Sequence, residues 1–261
     1  MTAQMGQKLI PDNGLGLYLH VPFCAKECEF CAFYKERADR KKIDDYLDAV
    51  EAELKTWPQG KVASTIFFGG GTPTLLNVED LDRLCGAVKK TAGDQFVEWS
   101  IECAPNTLSP QKLDAMKKHG VNRFSLGVQS FSERALEAIG RPHTVKQTQE
   151  AVELLKNNVE NWNIDLIFAA ADSTMDEWAS DLEKALVYAP KHISTYCLTF
   201  ESDTALFLKM LKGSKKRPSA QEEARFYLKT WEILRGAGLH HYELAHFAQP
   251  GWECQHNWRT W

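Results

Sequence analysis

At 261 residues and 29.6 kDa the chain is long enough for one large α/β domain or two small ones, and its core should close without disulfide staples. A net charge of −4, with 44% hydrophobic and 25% charged residues, argues against the basic footprint of a protein that binds nucleic acid or anionic lipid. No apolar run approaches the ~18 residues of a membrane span, and residues 1–14 lack the basic-then-apolar order of a secretory signal; the sequence therefore predicts a cytoplasmic protein without a transmembrane segment.

Residues 15–21 are apolar and β-prone and read as the first strand. They run into Cys24, Cys28 and Cys31, a C-x3-C-x2-C spacing. Three thiols so close together, in a chain without a secretory signal, fit neither ordinary core cysteines nor a disulfide framework, and they point to ligands of one metal centre. Cys85, Cys103, Cys197 and Cys254 stand singly and read as small buried residues. A helix over 43–57 presents Ile43, Tyr46, Leu47, Val50 and Leu54 on one face and ends at Pro58 and Gly60. A strand over 62–68 leads into Gly69-Gly70-Gly71-Thr72-Pro73-Thr74, and a helix follows from about 78 to 91.

The third strand spans 97–103, and Ser109-Pro110 has the order of a capped helix that reaches His119 and stops at Gly120. A fourth strand over 123–128 precedes a short helix from Ser132, the loop Gly140-Arg141-Pro142-His143 and a helix over 144–156. Strand 162–168, helix 176–188, strand 192–200 and helix 219–235 complete the series. The Lys-rich pieces 37–42 and 209–217 read as solvated loops or helix faces.

Strands alternating with helices mean parallel strands joined by crossover helices, in an open doubly wound sheet or a partial barrel. Cys24, Gly70, Glu102, Gln129, Arg141 and Asp165 all fall at or just past the C-terminal ends of strands. In a barrel those ends converge on one mouth, so the expectation is a partial (β/α)6 TIM-like barrel over 1–239, with the cysteine loop near its N-terminus. Residues 240–261 break the rhythm. They carry His240, His241, His246, His256, Trp252, Trp258 and Trp261 with no sealing helix. We read them as a segment leading toward a C-terminal domain that is absent from this chain.

Zinc is one rival for the three cysteines, with His20 completing a Cys3His set, although structural zinc sites usually pair two such knuckles. An iron-sulfur cluster normally takes four cysteines, so three would leave one iron of a [4Fe-4S] cube open to a substrate. The three glycines are not a phosphate loop, because no Lys-Ser or Lys-Thr follows; they permit close approach of a ligand and could offer amide donors to a carboxylate, or simply form a turn before Pro73. Glu102 and Asp165 are acids among apolar neighbours, where a carboxylate is either paired or used, and Arg141 is the natural partner. Gln129 could hydrogen-bond a ribose or a base edge, or tie two loops together.

Taken in order, C-x3-C-x2-C after YLH, GGGTPT, IEC-x-P, RFSLGVQSF, GRPH, NIDLIF, HISTYCLT and CQHNW resemble the radical S-adenosylmethionine (SAM) proteins of the HemN/HemW type, from residue 14 to 261. The resemblance implies that Cys24, Cys28 and Cys31 hold a [4Fe-4S] cluster whose fourth iron is chelated by SAM. Tyr18 and Phe30 would lie beside that cofactor, and Gly70, Gly71 and Thr72 would take its methionine end. Glu102, Gln129, Arg141 and Asp165 would surround its amine, carboxylate and ribose.

Within this family the resemblance implies either a haem chaperone or an oxygen-independent coproporphyrinogen III dehydrogenase, which converts propionates to vinyls. His256 is the haem candidate, in His256-Asn257-Trp258-Arg259-Thr260-Trp261, where the family's HN-x-x-YW motif has tyrosine in place of Thr260. That motif, and the short stretch before Cys24, favour the chaperone branch. The implied partners are haem or a porphyrinogen, a low-potential electron donor such as flavodoxin or ferredoxin, and a haem-acceptor protein. A non-catalytic remnant with structural zinc is the third reading. The chain departs from the family at Ala104, where an asparagine is usual, and at Ala169-Ala170-Ala171-Asp172-Ser173, where a Gly-x-Pro-Gly-Gln turn is usual.

Overall fold

Side chains that the sequence places just ahead of each apolar period start most of the helices. Asp39, Asn77, Ser109, Ser132, Thr144, Thr174, Thr204 and Ser219 each accept a hydrogen bond from a backbone N–H in the first turn. The computed structural model describes residues 14–170, 173–213 and 217–260. Its strands are β1 (Gly14–Val21), β2 (Phe23–Cys24), β3 (Glu36–Arg37), β4 (Val62–Gly70), β5 (Glu98–Cys103), β6 (Arg123–Gln129), β7 (Trp162–Phe168), β8 (His192–Cys197), β9 (His240–Glu243) and β10 (His246–Ala248). The helices are α1 (Arg40–Leu54), α2 (Val78–Ala92), α3 (Pro110–His119), α4 (Glu133–Ala138), α5 (Val145–Asn158), α6 (Met175–Val187), α7 (Ala205–Leu211), α8 (Ala220–Gly236) and α9 (Gln255–Thr260).

Eight strands form one sheet in the order β1-β4-β5-β6-β7-β8-β10-β9. The six from β1 to β8 in that order pair in parallel, and the β9-β10 hairpin continues the sheet antiparallel from β8. This is the α/β fold with a mostly parallel sheet that a partial barrel requires. Alternation along the strands gives the sheet two different faces. Ile66, Phe68, Trp99, Ile101, Phe124, Leu126, Ile164, Leu166 and Ile193 form one continuous core with the helices. Glu98, Ser100, Glu102, Arg123, Ser125, Asn163, Asp165, His192 and Ser194 occupy the alternate positions on the concave side. That interior is polar, unlike the packed apolar layers of a closed barrel.

Several expectations are corrected. Asp165 is the fourth residue of β7 rather than a strand end, paired across to Gly127 and Ser194. The last parallel strand stops at Cys197, where Leu198 donates its N–H to the Phe168 carbonyl. Helix α7 was hidden because only seven residues follow its Thr204 cap and a lysine-rich stretch follows them. In the C-terminal segment, β10 has three residues, too few to show alternation, and its register comes from pairing with β8. That segment also ends in a helix, α9, which packs against β1, β4 and β5. Among the described residues no helix is long and apolar enough to cross a membrane. Residues 1–13, 171–172, 214–216 within the lysine-rich piece, and 261 lie outside the described residues.

Candidate functional site

The cysteine loop is an excursion whose ends are fastened together. Beyond Pro22, β2 pairs in parallel with β3, so Phe23 and Cys24 stand beside Glu36 and Arg37. Cys24, Cys28 and Cys31 line one pocket with Lys35, Gly71, Thr72, Ala104, Asn106, Thr107 and Arg141. Cys31 donates its N–H to the Cys28 carbonyl (3.3 Å), and Lys35 Nζ donates to the Cys31 carbonyl (2.7 Å). Burial pushes the Cys24 thiol up, and the Thr72 hydroxyl lies 3.8 Å from its sulfur. From outside, α7 grips the loop: the Leu206 N–H donates to the Glu29 carbonyl at 2.9 Å, and Lys209 pairs with the Glu29 carboxylate at 2.7 Å. Gly140 supports the same point from the α4–α5 loop. Its φ is +70°, and a Cβ there would stand 2.7 Å from Glu29 Cγ.

Arg141 reaches the cysteines instead of the acids. Its Nη1 donates to Cys28 Sγ (3.3 Å) and its Nη2 to the Gly127 carbonyl (3.1 Å), while its buried Nε has no partner. The expected pairing of Arg141 with Glu102 or Asp165 is therefore not made. A guanidinium with an unused donor beside a cysteine sulfur suits an additional acceptor in the pocket. Gly127 keeps this corner open: a Cβ there would come within 2.9 Å of Gln129 Nε2 and 3.3 Å of Arg141 Nη2. Gln129 has a φ of +67°, which turns the chain at the end of β6.

The glycine loop differs from the expectation of free amide donors. Gly70 N donates to Glu102 Oε2 (3.1 Å), Gly71 N to the Val21 carbonyl and Thr72 N to the Phe23 carbonyl, both at 2.8 Å. This stitches the loop to the cysteine strand. Gly71 is needed because a Cβ would lie 2.8 Å from the Pro22 and Phe23 carbonyl oxygens. Burial, with the Asp165 charge added, pushes Glu102 up to about 8. Asp165 is also raised by burial, although Ser125 Oγ (2.9 Å) and Asn163 Nδ2 (2.7 Å) donate to it. No cationic side chain bonds to either acid among the described residues, so the pair is poised to take a ligand's ammonium or hydroxyl groups.

Tyr18 faces the concave side from β1, 52% exposed and stacked on Phe67 at 6.1 Å. Phe30 packs beside Ile139, Ala170, Leu198 and Leu206. His20, the fourth ligand of the zinc reading, is engaged elsewhere: Nε2 lies 2.9 Å from the Tyr34 carbonyl and Nδ1 lies 3.2 Å from the Tyr18 hydroxyl. Among the described residues no group of three or more His, Cys, Asp or Glu is gathered to hold a single metal ion.

A second, open bay lies lower on the same concave side, lined by Leu15, Gly16, Tyr18, His256, Trp258, Arg259 and Thr260. His256 Nδ1 is 3.0 Å from Thr65 Oγ1, and the ring lies 5.3 Å from that of Phe67. Its Nε2 has no hydrogen-bond partner among the described residues. Burial lowers the His256 pKa, which keeps the ring neutral and a nitrogen lone pair available. Trp258 is 55% exposed and stacks on Tyr242.

The structure thus gathers Cys24, Cys28, Cys31, Gly71, Thr72 and Arg141 around one pocket, with Gly70, Glu102 and Gln129 along the adjoining strand ends and Asp165 in the middle of β7. His256 belongs to the separate bay. Sequence reasoning missed Lys35, Thr65, Glu98 and the Ser125–Asn163 support of Asp165. For Glu98, Ser125 and Asn163 the signal was present as polar residues alternating within apolar strands.

Residues 18–185 match the radical SAM superfamily. The chain belongs to that superfamily. It is closely similar to proteins named heme chaperone HemW: 37% identical over 253 residues to that of Synechocystis (94% of this chain, 61% of the relative), 34% over 252 residues to that of Bacillus subtilis (94% and 66%) and 33% over 258 residues to that of Escherichia coli (95% and 66%). This radical SAM chain therefore spans less than two thirds of the length of these relatives. Among solved structures, coproporphyrinogen III oxidase (HemN) from Escherichia coli, described as a radical SAM enzyme, superposes with a TM-score of 0.79 at 29% identity, over 91% of this chain and 56% of that one. Methylornithine synthase, at 13% identity and a TM-score of 0.57, shares the fold.

Proposed function

We propose that this radical SAM protein acts as a haem chaperone of the HemW kind. Cys24, Cys28 and Cys31 would hold a [4Fe-4S] cluster, and SAM would lie between it and the strand ends. Membership of the superfamily implies both cofactors. The observation that carries their placement is the shared pocket of the three cysteines, Thr72 and the half-satisfied Arg141, next to two buried acids without cationic partners. The cluster, when reduced, supplies one electron to the sulfonium of SAM.

This chain's own residues bind and aim. Glu102 and Asp165 take the amine and ribose hydroxyls, Arg141 and Gln129 the carboxylate and further polar atoms, and Gly70, Gly71 and Thr72 border the methionine end. Tyr18 and Phe30 flank the cofactor. His256 would ligate haem through Nε2 in the lower bay, with Trp258 against the macrocycle. The partners are a haem-acceptor protein and a low-potential donor such as flavodoxin or ferredoxin, and we place the protein in the cytoplasm. Haem titration tests the chaperone reading: wild type should give a histidine-ligated spectrum that His256→Ala loses, and equal binding by both would overturn it.

The likeness to HemN favours a second reading, coproporphyrinogen III dehydrogenation. Incubating the reconstituted protein with coproporphyrinogen III, SAM and a reductant separates the two, since vinyl products would exclude a purely carrier role.

A further inference from the structure

We propose that Glu98 is a positioning residue that fixes the start of α9 and so sets His256 in its bay. Glu98 opens β5, is 3% exposed and faces the concave side. Its carboxylate accepts from Cys254 Sγ (3.3 Å), the Gln255 N–H (3.0 Å), the His256 N–H (3.2 Å) and the Ser100 hydroxyl (3.1 Å). Three of these donors are consecutive residues, 156 to 158 positions away along the chain. The first amides of a helix have no partner within it, and here a distant strand supplies one.

Helix α9 needs such an anchor. It has six residues, none of them buried, which is too short to persist alone. A second contact comes from Tyr242, whose hydroxyl accepts from the Cys254 N–H (3.2 Å) and lies 2.8 Å from His192 Nε2. Arg123, 2% exposed, sits beside Glu98 and offsets its charge in the interior. With residues 254–256 held there, the His256 ring reaches the Thr65 hydroxyl and fits over Gly16, where a Cβ would stand 3.3 Å from the ring. Glu98 touches neither proposed ligand. It acts through His256, and the haem consequence rests on the reading of His256 given above.

The test compares wild type, Glu98→Gln and Glu98→Ala, all as the full chain after anaerobic cluster reconstitution. Amide hydrogen exchange across 254–260 should speed up at least tenfold in Glu98→Ala and less in the isosteric Glu98→Gln, with cluster absorption unchanged in both. Haem affinity should fall in the same order, and the ferric spectrum should move toward that of His256→Ala. Wild-type exchange over 254–260 in either variant would overturn the positioning role; if Glu98→Ala does not fold, Glu98→Gln alone decides. Faster exchange with unaltered haem binding would uphold the positioning of α9 and overturn the haem reading of His256.

Discussion

Glu102 shows how a single buried carboxyl makes the stability of the cofactor-free protein depend on pH. Its carboxyl is raised from 4.5 to about 8, because burial and the Asp165 charge both disfavour the anion. The folded state therefore binds this proton more tightly than the unfolded chain. The stability it contributes is full below about pH 4.5 and is lost as pH rises through about 8. Glu102→Gln should accordingly raise the melting temperature of the cofactor-free protein more at about pH 8.5 than at about pH 6, while weakening SAM binding; equal shifts at both values would contradict the role of the buried anion. Gly71 is the complementary case of a missing side chain. Gly71→Ala should cost about 1–3 kcal/mol in urea unfolding, because the new Cβ meets the Pro22 and Phe23 carbonyls. It should also lower cluster loading, since the same contact spaces the glycine loop from Cys24.

Among the elements, α7 and α9 do what the long helices do not: each braces a site from outside the βα rhythm. Leu206, 1% exposed, anchors α7 beside Phe30, and its backbone binds the cysteine loop at Glu29. Leu206→Ala should destabilise the protein by about 2–3 kcal/mol, and a chelator should strip iron from the variant faster than from the parent. These braces were the least legible part of the sequence. Long elements such as α2 and β4 announce themselves by period and caps. A seven-residue helix and a three-residue strand carry too few positions for any period, and their placement comes from contacts with distant residues, as Glu98 with Gln255 shows. The triple alanine illustrates the same limit. Ala169, with φ +58°, takes a left-handed turn that nothing in a run of alanines announces.

At the scale of the whole molecule, the parallel order of β1, β4, β5, β6, β7 and β8 brings residues from distant stretches of sequence to one concave wall. The fold and the cysteine pocket were readable in advance because both follow from repetition and spacing. The partners of Arg141 were not, because which acceptor a long side chain reaches depends on the loop that carries it. Two candidate sites share the wall, the cysteine pocket above and the His256 bay below. The proposed function rests most on the cysteine pocket. Anaerobic reconstitution with iron and sulfide, followed by metal analysis and absorption spectroscopy, tests it directly. The expected result is a brown protein with about four irons per chain, whose cluster absorption is lost on replacing Cys24, Cys28 or Cys31 by alanine. A colourless protein, or one carrying a single zinc ion in this loop, would contradict it.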